Sequence, residues 1–565
     1  MRNTMMLRAV LAIVAGACLA VSRPARGDEA DLTAWAVDPL VNVFPDAAPA
    51  EASEALAEVA RGEHATFQLV AKSAGAIEGL RAEVSPLASE AEPQSALEGA
   101  QVRFVGYVPV DRPIQQPPQD QLREPPADFP DPLLEEETID VPAGQAQAVW
   151  ITLAVPEDAA PGAYRGTVRL SGRVGGQEQS ATLPVAIRVF DVTVGKPRLW
   201  VTNWFTMQWR HMEVAPEPDS PAYWDLLRRY ARNMAEYRQN VALISPLRLA
   251  DYEARPDGTL DVDFSRFDRW VEIFIEEGVV GLIEGGHLGG RAAGWNSPFV
   301  VQIREVRGEE VVEKRVDPAS DEADRFYAQF LPALRDHLRE KGWLEQYVQH
   351  LADEPIQANL DSYLAIARLV RDYAPELRTI EAVHAKELAG AIDVWVPQLN
   401  FFHRDYSYYQ ERQQAGDEVW FYTCVFPQGE YANRFIEQPL MKTRLLHWIN
   451  YRYGATGYLH WGYNHWRQDD PFTHLTPAHP GPPYLPAGDA WIVYPGREGP
   501  LASIRFEAMR DGIVDHELLS MLGERDAAAA ERLAARHILD FDRYDGCVEQ
   551  FRATRRELLS LLSRP

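Results

Sequence analysis

His350-Leu351-Ala352-Asp353-Glu354-Pro355 is the stretch on which the reading of this chain turns. It lies where an apolar run from Gln346 to Ala352 gives way to helical periodicity from Gln357 to Tyr373. A strand followed at once by a helix, with two acids at the junction, has two readings. Acids before a Pro cap the free N–H groups of a starting helix. In a parallel α/β barrel, the same junction opens onto the face where active sites are built. The rest of the chain decides between them.

Outward from this junction the rhythm is strand, then helix, repeated. Eight strands are expected: Trp200–Phe205, Val241–Ser245, Val279–Glu284, Gln346–Ala352, Thr379–His384, Asp393–Pro397, Val419–Thr423 and Thr456–Trp461. Helical segments lie between them. Trp224, Leu227, Ala231 and Met234 recur at helical spacing, as do Phe330, Leu334 and Leu338, and then Leu360, Tyr363, Ala367 and Val370. Such rows are core faces. Eight alternations predict a (β/α)8 barrel over 196–522. An open doubly wound sheet is the alternative. It usually has fewer strands, and no Gly-rich phosphate loop follows the first one here.

Upstream, residues 28–195 read as a β-sandwich of short alternating strands, with Ala146–Leu153, Tyr164–Leu170 and Ala181–Val189 the clearest. The Pro-rich stretch Arg112–Pro132 is read as an ordered loop against the next domain, with a disordered linker as the alternative. Downstream, Ser503–Leu522 is expected to close the barrel wall. Residues 523–565 are expected to form a C-terminal helical extension.

Residues 1–27 have the pattern of a signal peptide. Arg2 and Arg8 precede the apolar run Ala9–Val21, and Ala25-Arg26-Gly27 offers small residues for cleavage. Export to a periplasmic or extracellular location follows. A lipid anchor at Cys18 is the lesser alternative, because no large aliphatic residue stands three before it. No other apolar run approaches spanning length, so no integral membrane span is expected. The formal charge of the 565 residues is −27, which argues against nucleic acid and anionic membranes as partners. Cys424 and Cys547 are too separated in sequence to assign a disulfide. No Cys/His spacing suggests zinc, and neither a metal nor a cofactor is expected.

In a barrel, the strand ends would bring together Asn203 and Trp204, Glu284 and His287, Asp353 and Glu354, His384, Gln398 and Asn400, Tyr422, and finally Trp461, Tyr463, Asn464 and Trp466. Flat aromatic faces with amides and imidazoles suit the C–H surfaces and hydroxyls of a sugar, so the expected partner is a glycan or glycoconjugate. A lone Trp is more often core, but Tyr458-Leu459-His460-Trp461-Gly462-Tyr463-Asn464-His465-Trp466 carries more aromatics than a core requires. Ordinary retaining glycosidases place two carboxyls about 5 Å apart on different strands. The seventh strand here ends without one, and Glu284 is the best remote candidate. An adjacent Asp-Glu pair fits substrate-assisted hydrolysis instead, in which a 2-acetamido oxygen is the nucleophile.

The motifs His350–Pro355, Gly457–Asn464 and Ser503–Gly512 together resemble glycoside hydrolase family 123. The resemblance implies a barrel preceded by a sandwich, and an exo-acting, retaining N-acetyl-β-galactosaminidase working through an oxazolinium intermediate. Asp353 would orient the acetamido group, and Glu354 would be the general acid/base. Trp204, His287, His384, Gln398, Tyr422, Trp461, Tyr463 and Asn464 are candidate sugar contacts from strand-end position alone. Two other functions stay open: a glycosidase with no acetamido requirement that uses Glu284 or another acid as nucleophile, and a carbohydrate-binding protein without turnover.

Overall fold

A computed structural model describes residues 31–92, 94–209, 214–255, 259–307, 310–466 and 470–564. The leader and Cys18 lie outside the described residues.

The N-terminal region is two packed sheets. One has five strands in the order Thr33–Val37, His64–Lys72, Ala146–Ala154, Gln101–Val110 and Ala127–Leu134. The other has seven, centred on the long antiparallel pair Gly162–Val174 and Gln177–Thr193. The strand Ala146–Ala154 is buried on both faces up to Leu153. Val149, Ile151 and Leu153 face the second sheet, and Ala148 and Trp150 belong to the core of the following α/β body. The five-stranded sheet is therefore a middle layer, which explains an apolar run without polar alternation.

The Pro-rich stretch is ordered against the second region. Ile114 N–H donates to Glu437 (3.0 Å) and Gln116 N–H to Gln428 (3.0 Å). Asp131 forms a buried bidentate pair with Arg505, both bonds 2.8 Å. Its end is the strand Ala127–Leu134, at the sheet edge, where prolines cost no ladder hydrogen bond.

The α/β body has eight parallel strands: β1 (Trp200–Asn203), β2 (Val241–Leu243), β3 (Leu282–Gly285), β4 (Tyr347–His350), β5 (Arg378–Ala382), β6 (Val394–Val396), β7 (Glu418–Val419 and Phe421–Tyr422) and β8 (Gly457–His460). β2 to β7 pair in sequence order, and β1 pairs with β8. β7 is interrupted at Trp420, whose N–H still reaches Trp395 O (2.8 Å) on β6. Asn240, at the foot of β2, donates to Val201 O (3.3 Å) on β1. β1 thus neighbours both β2 and β8, whereas an open doubly wound sheet would leave two free edges.

Most of the connecting helices are where the apolar rows predict. Ser220 and Ser320 cap Pro221–Glu236 and Asp321–Lys341 through their hydroxyls. Leu227, Ala231, Met234, Phe330, Leu334 and Leu338 are fully buried. Between β5 and β6 the expected helix is only a single 3₁₀ turn, Lys386–Leu388. The helix expected over Ser503–Leu522 spans Ile504–Arg525 and so runs through Gly523. A Cβ on Gly523 would lie 2.7 Å from the Tyr451 hydroxyl, so glycine serves close packing there and does not end the helix. A helix, Ala527–His537, a short β-hairpin and a last helix, Val548–Leu562, follow. Cys424 and Cys547 are free thiols. Among the described residues, no helix is long and apolar enough to cross a membrane.

Candidate active site

Asp353 and Glu354 occupy the turn beyond β4, and neither caps a helix. The following 3₁₀ turn is capped by Asn359, whose side chain accepts from Ile356 N–H (2.8 Å). Glu354 has φ +49°, a left-handed conformation that costs a non-glycine residue about 1–3 kcal/mol at a constrained site. The surroundings hold this turn from both sides. Arg291 donates to Asp353 O (2.9 Å) and Glu354 O (2.7 Å). Glu381, beneath it on β5, accepts from Leu351 N–H (3.0 Å) and Ala352 N–H (2.9 Å).

The two carboxyl groups have different environments. Glu354 accepts a hydrogen bond from the Tyr422 hydroxyl. That hydroxyl also lies 3.3 Å from His384 Nε2 and 3.5 Å from Gln398 Nε2. Burial, and then the charge of Asp353, push Glu354 up to about 7 against the pull of Tyr422 and Arg291. Asp353 is also raised, chiefly by burial. Its carboxyl makes no side-chain hydrogen bond among the described residues, while Glu354 is held.

Beneath the pair runs a buried chain of ionisable groups. His350 Nε2 is 2.6 Å from Glu284, and its Nδ1 is 3.1 Å from Glu381. Burial alone would lower the imidazole pKa, but the two carboxylates outweigh it and hold it at about 10. His350 is therefore an imidazolium at neutral pH. Burial likewise raises Glu381, and the bonds to His287 and His350 overcome it, bringing its carboxyl to about 2. Glu284 also accepts from Thr202 (2.7 Å) and from Trp204 Nε1 (2.8 Å). Trp204 stands edge-on to His287 and His350, each ring pair 5.4 Å apart.

His287 Nε2, His350 Nδ1 and a Glu381 oxygen lie within 4.8 Å of one another, a spacing that a divalent cation can bridge. Both nitrogens of His350 already face carboxylates. The second Glu381 oxygen is spent on two backbone N–H groups. Both His350 nitrogens are thus taken, and His287 Nε2 lies 3.4 Å from Glu381.

The structure brings Asp353, Glu354, Trp204, His287, His384, Gln398 and Tyr422 together around one mouth. Trp461 is half-buried, its ring 5.0 Å from that of His465. Two expected sugar contacts are corrected. Tyr463 is fully buried, donates to Asn233 (2.7 Å) and packs on Phe205 and Tyr230. Asn464 is fully buried and spends its amide on both backbone groups of Thr206 (2.9 and 2.8 Å). Both pin the β8 loop to the β1 loop and leave nothing for a ligand. Asn203 and Trp466 are core residues too. So is Arg434, which donates to Asn203 (2.6 Å). Arg291 and Glu381 were missed by the sequence reading. A carboxylate in a strand, at Glu381, is a detectable signal. Arg291 gives none, lying at the end of the short strand Gly289–Arg291, far from the pair in sequence.

Comparison with known proteins now places the chain. Residues 204–522 match the model of the glycoside hydrolase 123 catalytic domain, and residues 45–172 match that of the glycoside hydrolase 123 N-terminal domain. By class the protein is a glycosidase. It belongs to glycoside hydrolase family 123. Among solved structures it is similar to a family 123 glycoside hydrolase from Clostridium perfringens described in terms of glycolipid glycan hydrolysis. The TM-score is 0.73 at 15% identity, covering 94% of this chain and 97% of that one. A β-glucuronidase from Bacteroides uniformis (TM-score 0.28, 11% identity, 82% and 51% covered) and a family 5 glycoside hydrolase from Bacteroides vulgatus (0.31, 9%, 57% and 67%) are far more distant. No curated protein matches the chain by sequence.

Proposed function

We propose that this glycosidase is a retaining, substrate-assisted β-N-acetylhexosaminidase acting on galactosamine-type termini. The observation that carries the reading is the division of labour among the four buried acids. Glu284 and Glu381 are consumed by His350 and its neighbours. Glu354 is bonded to Tyr422 and holds a proton up to about pH 7. Asp353 alone presents an unbonded carboxyl. A direct-displacement enzyme needs a nucleophilic carboxylate about 5 Å from the acid. Glu284, the candidate for that role, already accepts three hydrogen bonds.

In the proposed reaction, Asp353 accepts the acetamido N–H and stabilises positive charge. The acetamido oxygen attacks the anomeric carbon as the bond to the leaving oxygen breaks, and Glu354 gives that oxygen its proton. The cyclic oxazolinium is then opened by water. Glu354 removes the proton from this water, and β-configuration is restored. Trp204, His384, Gln398 and Tyr422 line the sugar pocket, with His287 beside Asp353. The eight-stranded body is read as a (β/α)8 barrel with a sandwich in front and a helical extension behind. The leader at 1–27 is read as directing export, to the periplasm or beyond.

The test is hydrolysis of aryl β-N-acetylgalactosaminide, β-N-acetylglucosaminide, β-galactoside and β-glucoside by the chain from Asp28. A thiazoline analogue of N-acetylgalactosamine is assayed as inhibitor, and Glu354→Gln as the dead variant. Cleavage of the first glycoside with tight thiazoline inhibition is expected. Cleavage of plain glycosides without thiazoline inhibition would return the nucleophile to a protein carboxylate.

A further inference from the structure

Val110 and Ala127 are cross-strand partners in the five-stranded sheet, so residues 111–126 leave the sandwich and return to the same point. They contain no helix or strand. An ordered loop of that length is uncommon in a compact domain and usually has a function. Its ties run to the loops that leave β7 and β8. Thr476 donates to Asp111 (2.5 Å), and the Tyr484 hydroxyl donates to Pro113 O (2.8 Å). Glu437 takes both ends of the span 114–122. Its carboxyl accepts from Ile114 N–H (3.0 Å) and Gln121 Nε2 (2.5 Å), and its carbonyl accepts from Leu122 N–H (3.0 Å).

Gln428 stands at the centre of this contact. It is buried, and its oxygen and both N–H groups are used. The oxygen accepts from Gln116 N–H (3.0 Å), and the nitrogen donates to Gln115 Oε1 (2.6 Å) and to Val425 O (2.9 Å). Gly429 N–H returns a bond to Gln116 O (2.8 Å). One side chain thus joins the sandwich to a carbonyl three residues beyond Tyr422.

From there the route to the acid is short. Cys424 N–H donates to Phe426 O (2.9 Å), and Cys424 O accepts from Asn433 (2.8 Å), which folds the loop back on itself. Cys424 Sγ accepts from Gln398 Nε2 (3.3 Å), and the same nitrogen faces the Tyr422 hydroxyl (3.5 Å). That hydroxyl donates to Glu354. Where Cys424 lies therefore decides where Gln398 points and how the hydroxyl is held.

We propose that the sandwich serves the reaction through this contact: Gln428, gripped by Gln115 and Gln116, is a positioning residue that fixes Cys424 and so aims Gln398 and the Tyr422 hydroxyl. This rests on the reading of Glu354 as the acid. The ladder of β7 ends at Tyr422, so the loop beyond it needs another support. A misplacement of about 1 Å at a catalytic group costs on the order of 10²-fold in rate.

The experiment is a double-mutant cycle between Gln428→Ala and Tyr422→Phe. It is read as the pH profile of kcat/KM on the phenyl glycoside of whichever sugar in the panel above the wild type cleaves best. Gln428→Ala is expected to lower kcat/KM about tenfold, within the range of coupling inside one hydrogen-bond network. It is also expected to move the alkaline limb upward, in the direction of Tyr422→Phe. In the Tyr422→Phe background the same change should leave the limb in place and cost about twofold at most. Gln115→Ala, a change on the sandwich side alone, is run through the same cycle, so that a poorly folding Gln428→Ala does not decide the outcome. It should act in the same direction. Equal losses in both backgrounds, or a limb that Tyr422→Phe moves and the Gln variants do not, overturn the proposal and leave the catalytic reading intact. A limb that Tyr422→Phe itself leaves in place defeats the acid assignment. The coupling in kcat/KM then still decides whether the sandwich acts on Tyr422.

Discussion

Tyr422→Phe isolates one hydrogen bond at the proposed acid. The Tyr422 hydroxyl donates to Glu354, and a donor stabilises the ionised carboxylate over the protonated acid. Burial and Asp353 already hold Glu354 at about 7. Removing the donor therefore moves it further up. A hydrogen bond to a charged group contributes about 1.5–3 kcal/mol, and one pKa unit corresponds to about 1.4 kcal/mol. The full bond is thus worth roughly one to two units. Gln398 and His384 stand close enough to the same position to recover part of it, so the expected shift is about one unit. Glu354 must be protonated to act as acid, so activity falls as pH rises through its pKa. The alkaline limb of kcat/KM should move from near 7 to near 8. The assay is the pH profile, from about 5 to 9.5, on an N-acetyl-β-galactosaminide with a poor leaving group, in wild type and variant. An alkaline limb that stays in place or moves down would refute the assignment of Glu354 as proton donor, whatever happened to kcat.

Two further predictions concern stability. Asp515 accepts from Arg444 (2.7 and 3.1 Å) and Arg555 (2.8 Å), joining three helices. Burial raises its carboxyl, and the two guanidinium groups overcome this and bring it to about 2. A depressed pKa contributes stability that is full above the unfolded value near 3.8 and is lost as pH falls through about 2. Asp515→Asn should therefore cost about 3–5 kcal/mol at pH 7 in urea unfolding, and the gap should narrow between pH 3.8 and 2. A gap constant over that range would contradict the ion-pair assignment. Tyr463→Phe should lose about 1 kcal/mol from the bond to Asn233 with KM within about twofold of wild type. A large rise in KM would put Tyr463 back among the sugar contacts.

The positions of all eight strands were readable because buried parallel strands are short apolar runs between amphipathic helices, and period is a local property. The place of Asp353 and Glu354 was readable for the same reason, as a pair of acids where one period changes to the other. The β8 loop was misread because a loop has no period to say which way a side chain points. Tyr463 and Asn464 have the composition of sugar contacts, yet they face inward because Asn233 and the backbone of Thr206 are there to receive them.

The sequence alone therefore determined the order of elements, and it marked Asp353 and Glu354 as the candidates for acid/base chemistry. The tertiary structure decided how those residues are held. Arg291 and Glu381 reach the acid pair from two other strands, and the strained turn at Glu354 exists only because both grip it. A charge buried beside another charge takes its pKa from distances and desolvation, and these are set across the fold by groups far apart along the chain.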